Sequence, residues 1–142
     1  DRLLVVDDGK HAAVEIIAQR DTLTLLVLGE EELPVAEQMH RDIILREEGR
    51  MERSLALAKQ MKADRIIAIL HYPPFDEMRR PSHMMEIIAE SGADLCLYGH
   101  IHGAPNFKNL PDSLLGVPLC LTSSDYLDFK PYFICDLEAP HA

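Results

Sequence analysis

Ile66-Ile67-Ala68-Ile69-Leu70-His71-Tyr72-Pro73-Pro74 is an unbroken apolar run that stops at a histidine followed by an aromatic residue and two prolines. The run is mostly β-branched and shows no polar alternation, the pattern of a strand covered on both faces. Proline neither donates to a strand ladder nor continues a helix, so the strand is expected to end at His71. Downstream, Ser82 is placed to cap a helix that runs to about Ser91, with Glu86 on its polar side and Gly92 at its end. Residues 95–98 then form a second short apolar strand, which closes on Gly99-His100-Ile101-His102-Gly103. Upstream, the pattern is helical from about Ile43. Ile44, Leu45, Met51, Leu55, Ala58 and Met61 fall near one face, and Arg46, Glu47, Arg50, Glu52 and Arg53 supply the other. Strand, helix and strand alternate through this region, which predicts an α/β fold.

Further strands are expected at residues 117–122 and 132–136, separated by the polar stretch from Ser123 to Pro131. At the other end, residues 3–6, the turn Asp7-Asp8-Gly9-Lys10 and residues 11–18 read as strand, turn, strand, because Asp-Gly supplies the positive φ angles of a tight hairpin. Residues 22–28 suggest a third strand, and Glu30, Glu31, Glu32 and Pro34 a loop or helix start.

The chain has 142 residues, of which 47% are hydrophobic and 27% charged, a composition that supports one packed core and excludes disorder over most of its length. Its 24 acidic and 14 basic side chains leave a formal charge of −10, which repels phosphate backbones and argues against general nucleic-acid binding. No apolar run approaches the ~20 residues needed to cross a bilayer, and no secretory leader is recognisable, so a soluble cytoplasmic protein with no membrane partner is expected. Cys96, Cys120 and Cys135 lie among apolar neighbours without Cys-x-x-Cys spacing and read as reduced core residues. The chain opens on Asp1 without a methionine, so its natural start is expected upstream.

The histidines at the strand ends carry the chemistry. Loops at the carboxyl ends of strands are where α/β sheets display functional groups. A lone His71 is more often a hydrogen-bonded structural residue than a ligand. His100 and His102 differ, because residues two apart in an extended segment point to one side and can converge on one metal ion or on two close ones. Gly99 and Gly103 leave room for the turn and for an ion. Imidazole suits several transition metals, so Mn, Fe, Zn and Ni are not distinguished.

His71 with its strand, the following helix and the strand ending in Gly99-His100-Ile101-His102 resemble the last two motifs of the binuclear metallophosphoesterases, the calcineurin-like superfamily. Arg46-Glu47, Arg50-Met51, Ser54-Leu55, Leu70-His71-Tyr72-Pro73-Pro74 and Ser124-Asp125-Tyr126-Leu127-Asp128-Phe129-Lys130-Pro131 further resemble a bacterial subgroup of predicted phosphohydrolases. The resemblance covers roughly residues 42–134. It implies the C-terminal part of a four-layer α/β/β/α sandwich with mixed β-sheets, so that residues 1–142 form a single partial domain. It also implies a phosphoester substrate and a centre of two divalent metal ions with a metal-activated hydroxide. His71 and His100 would then bind one metal and His102 the other.

The earlier motifs of that family, Asp-x-His, Gly-Asp and Gly-Asn-His-Asp/Glu, are absent, and with them the bridging carboxylate and the histidine near the leaving group. The catalytic residue is therefore unknown, and Asp8-Gly9-Lys10-His11 has the wrong spacing to replace the first motif. Alone, the chain is expected to bind metal poorly and turn over slowly. Loss of the first half should bare an apolar sheet surface and promote self-association. Tyr72, Asp125 and Asp128 are candidates for orienting the metal-bound histidines from behind. The commoner roles for these residue types are packing for Tyr72 and loop shaping for the two aspartates. Arg79, Arg80 and Lys130 could meet a substrate anion or remain solvated. The competing function is a noncatalytic metal-binding or interaction domain that retains the fold.

Overall fold

A computed structural model describes residues 2–5, 18–19, 22–27 and 37–136. Its strands are β1 (Arg2–Val5), β2 (Ala18–Gln19), β3 (Thr22–Val27), β4 (Arg65–Leu70), β5 (Leu95–Tyr98), β6 (Ser113–Leu114), β7 (Val117–Leu121) and β8 (Tyr132–Asp136). Two helices, α1 (Glu37–Gln60) and α2 (His83–Glu90), precede β4 and β5 respectively. The main sheet has the order β2-β3-β4-β5-β7-β6, in which β3, β4, β5 and β7 are parallel and the two outer strands run antiparallel. The chain is therefore mixed α/β.

Alternation along the central strands divides the core between the two faces of this sheet. Ile66, Ala68, Leu70, Cys96, Tyr98, Leu119 and Leu121 pack with Met51, Leu55 and Ala58 of α1 and Met85 and Ile88 of α2. Ile67, Ile69 and Leu97 point the other way and pack with Cys120 and with Tyr132 and Ile134 of β8. The unalternating sequence of β4 thus reflects burial on both sides. At these positions both faces of the sheet are covered. All three cysteines are free, and burial pushes the Cys96 thiol up to about 12.

Several expectations change. The helix expected from Ile43 begins at Glu37, because Met39 is the single apolar residue between Glu37 and Ile43 and one residue sets no period. Only Met51, Leu55 and Ala58 form its buried apolar stripe, while Ile44, Leu45 and Met61 are exposed. At 100° per residue, Leu45 and Met61 lie about 90–110° from the centre of that stripe. β1 pairs antiparallel with β8. The hairpin expected at residues 7–10 and most of the strand expected at 11–18 lie outside the described residues. β6 and β7 form a hairpin whose two-residue turn, Leu115-Gly116, has φ of 50° and 81°, the backbone of a type I′ turn without its usual Asn or Asp.

The cap of α2 is as the sequence suggests. Ser82 Oγ accepts from Met85 N at 3.3 Å and donates to Pro74 O at 3.0 Å. Beside this cap, His83 Nδ1 lies 3.1 Å from Glu48 Oε2 of α1, joining the helices. The hydrogen bond and then the charge of Glu48 raise the His83 pKa against the opposing effect of burial, with Glu86 and Glu52 adding to the rise. A raised histidine pKa stabilises the fold fully below the unfolded value of about 6.5, and that contribution is lost as pH rises through the folded value. His83→Gln is therefore expected to lower the urea midpoint at about pH 5.5 and to match the parent protein well above neutrality. No helix among the described residues is long and apolar enough to cross a membrane.

Candidate functional site

The register places the site. Leu70, Tyr98 and Leu121 are direct neighbours across β4, β5 and β7, and the ladder extends one step beyond them. Gly99 N donates to His71 O at 3.0 Å, and Thr122 N donates to Tyr98 O at 2.7 Å. Three adjacent parallel strands thus release their loops at one level, which brings residues 71–72, 99–103 and 122–127 to the same sheet end.

His71 Nε2 and His100 Nδ1 face each other at 3.2 Å. Tyr72 packs edge-on to His71, with ring centroids 4.7 Å apart, and lies against His100 at 4.4 Å. The opposition depends on an unusual backbone. His100 has φ of +68°, and Ile101 N donates to Gly99 O at 2.8 Å, which closes a γ-turn of the rare, strained hand around His100. Left-handed φ costs an L-residue with a Cβ roughly 1–2 kcal/mol. Both His100→Ala and His100→Gly remove the imidazole, but only glycine relieves this conformation. His100→Gly is expected to exceed His100→Ala by about 1 kcal/mol in urea unfolding, reversing the usual order of these substitutions.

His102 is held separately. Its Nδ1 donates to Asp125 Oδ1 at 2.8 Å, while Asp125 Oδ2 accepts from Gly103 N at 2.7 Å. A carboxylate only accepts, so the proton of neutral His102 sits on Nδ1 and the lone pair on Nε2. Asp125 Oδ1 also accepts from Tyr126 N, and Asn106 Nδ2 donates to His102 O at 2.7 Å, fixing the loop from both sides. The Gly103 N–H holds the Asp125 carboxyl below its usual range against the opposing effect of burial, and the hydrogen bond and charge of His102 add to the lowering. Asp128 is not brought to the histidines. It is exposed, and its Oδ2 accepts from Lys130 Nζ at 2.8 Å.

No family model, curated protein or solved structure matches this chain.

A divalent ion bound at about 2.0–2.1 Å by two imidazole nitrogens holds them roughly 2.8–3.4 Å apart, at octahedral to tetrahedral angles. The 3.2 Å separation of His71 and His100 fits such an ion, and it equally fits an N–H donated from one ring to the other. The carboxylate on one nitrogen of His102 is the usual support of a metal-binding imidazole. Among the described residues, no three His, Cys, Asp or Glu side chains form a group able to hold an ion. A two-histidine corner and one oriented third histidine are what this chain brings together.

Two features escaped the sequence reading. Ser123 is fully buried, and its Oγ has no hydrogen-bond partner among the described residues, although the stretch reads as a polar loop. An open groove of about 560 Å³ also runs beside His100 and His102, between the loop after β4 and the 3-10 turn Ala104–Phe107. The loop after β4 is braced by Asp76, whose Oδ1 accepts from Met78 N and Arg80 N and whose Oδ2 accepts from Arg80 Nε at 2.7 Å.

Proposed function

We propose that this chain is the C-terminal part of a four-layer α/β/β/α metallophosphoesterase domain and supplies ligands to a metal-dependent phosphoester hydrolase. The observation that carries the reading is the opposition of His71 Nε2 and His100 Nδ1 at the ends of neighbouring parallel strands. His71 and His100 would hold one divalent ion and His102, through Nε2, a second. Asp125 orients His102, and Tyr72 packs against the facing pair. Ions of this kind, drawn from Mn, Fe, Zn or Ni, supply Lewis acidity and charge neutralisation to phosphoryl transfer. The chain's own contribution is to hold the His102 imidazole through Asp125, to set His71 and His100 face to face, and to keep the surrounding loops on the sheet ladder.

A noncatalytic metal-binding or interaction domain is the second reading. It is favoured by the absence, among the described residues, of any group of three His, Cys, Asp or Glu side chains able to hold an ion. The deciding experiment uses this chain together with any residues encoded before it. Phosphatase and phosphodiesterase activity are measured with Mn, Fe, Zn or Ni, alongside metal content for the parent protein and His100→Ala. Metal-dependent turnover that disappears with His100 supports the hydrolase. Metal binding without turnover supports the second reading, and metal content indifferent to His100 removes both.

A further inference from the structure

The groove beside His100 and His102 is lined by Pro73, Phe75, Ile101 and Pro105 and by two cations, Arg79 and Lys108. Neither cation makes an ion pair among the described residues. Arg79 instead sits over the Phe75 ring, 5.3 Å from its centroid, at a backbone φ of +63°. The same rim carries Asp76 and Glu77, but Asp76 is already neutralised by Arg80 at 2.7 Å. With Asp76 paired to Arg80, which lies outside the lining, Arg79 and Lys108 face Glu77 alone on this rim, a local excess of one positive charge on a chain whose formal charge is −10. Unpaired cations on an acidic protein mark where its field reverses and an anion is drawn in.

We propose that Arg79 and Lys108 form a second anion-binding point, selecting phosphoesters whose leaving group carries a further negative charge. The inference rests on the hydrolase reading for the position of the phosphoryl group at the histidines. The leaving group then extends along the groove, its hydrocarbon against Pro73, Ile101 and Pro105 and its distal anion between the guanidinium and the ammonium. Guanidinium stacked on an aromatic ring is pre-organised for this contact and loses little freedom on binding.

The test uses the complete encoded protein, with and without added metal. Calorimetry compares phenylphosphonate with 4-phosphonobenzoate, two nonhydrolysable probes that differ by one carboxylate. The parent protein is expected to prefer 4-phosphonobenzoate by about fivefold to tenfold, the combined scale of two partly exposed ion pairs, and less so at high salt. Lys108→Gln and Arg79→Gln are each expected to reduce that preference, and Lys108→Arg to restore it. Lys108 is exposed, so its substitution tests the charge without threatening the core. Absence of preference in the parent protein, or preference unchanged in both glutamine variants, overturns the inference. The hydrolase reading is judged separately, by turnover of phenyl phosphate and 4-carboxyphenyl phosphate. If the binding preference depends on the two cations but neither ester is hydrolysed with any metal, that reading fails and the anion point stands.

Discussion

Replacing His100 with alanine is expected to lower affinity for a divalent ion by more than about 100-fold, the upper end of what losing only a supporting partner of a metal-bound histidine costs. His71 and His100 form a chelating pair whose nitrogens are already 3.2 Å apart, so an ion held by both gains from a geometry formed before binding. Removing either ring leaves a single imidazole at that position. His71→Ala is accordingly expected to match His100→Ala, and the double variant to be little worse than either, because the two residues act as a unit. Competition with a chromogenic chelator measures all three. Equal metal retention by parent and variants would show that the rings face each other only to share a proton.

Asp125→Asn is expected to weaken metal binding at His102 by about 10- to 100-fold while leaving the fold intact. Two donors, His102 Nδ1–H and Gly103 N–H, converge on one carboxylate. An amide has only one oxygen. If that oxygen serves Gly103, the amide NH2 faces His102 Nδ1 and drives the imidazole proton to Nε2, so the lone pair is lost where the ligand needs it. If the oxygen serves His102, the NH2 opposes the Gly103 N–H and the loop must shift. Nitrogen-15 spectra of the imidazoles read the outcome directly, with the proton on Nδ1 in the parent and displaced in the variant. Unchanged affinity together with a displaced proton would remove His102 from the ligand set.

Much of this architecture was legible because its signals are local. The apolar run of β4, the proline stop after His71 and the Ser82 cap are each set by residues within a few positions of one another. β5 and β8 have the bounds expected of them, and β7 ends one residue early. The start of α1 was not legible, since Met39 stands alone among Glu37, Gln38, His40, Arg41 and Asp42 and a single apolar residue makes no stripe to count. Nor was the pairing of β1 with β8, which joins opposite ends of the described chain. In the site, shared strand ends made His71 and His100 neighbours on topological grounds alone. The bond between His102 and Asp125 spans 23 positions and depends on where two loops fold. Of the cations that could meet an anion, Arg79, Arg80 and Lys130 stood out in the sequence and Lys108 did not, and nothing in the sequence tells that acids pair with Arg80 and Lys130 but not, among the described residues, with Arg79.

The register that aligns Leu70 with Tyr98 and Leu121 also sets a time order for the chain. His71 and His100 are 29 residues apart and meet only after β4 and β5 have found each other across the α2 crossover. Pairings of that separation close late, because the entropy of the intervening loop is spent before the contact forms. Helix signal should therefore recover in refolding before the histidines oppose each other. A nascent chain halted before β5 would hold His71 with nothing to face.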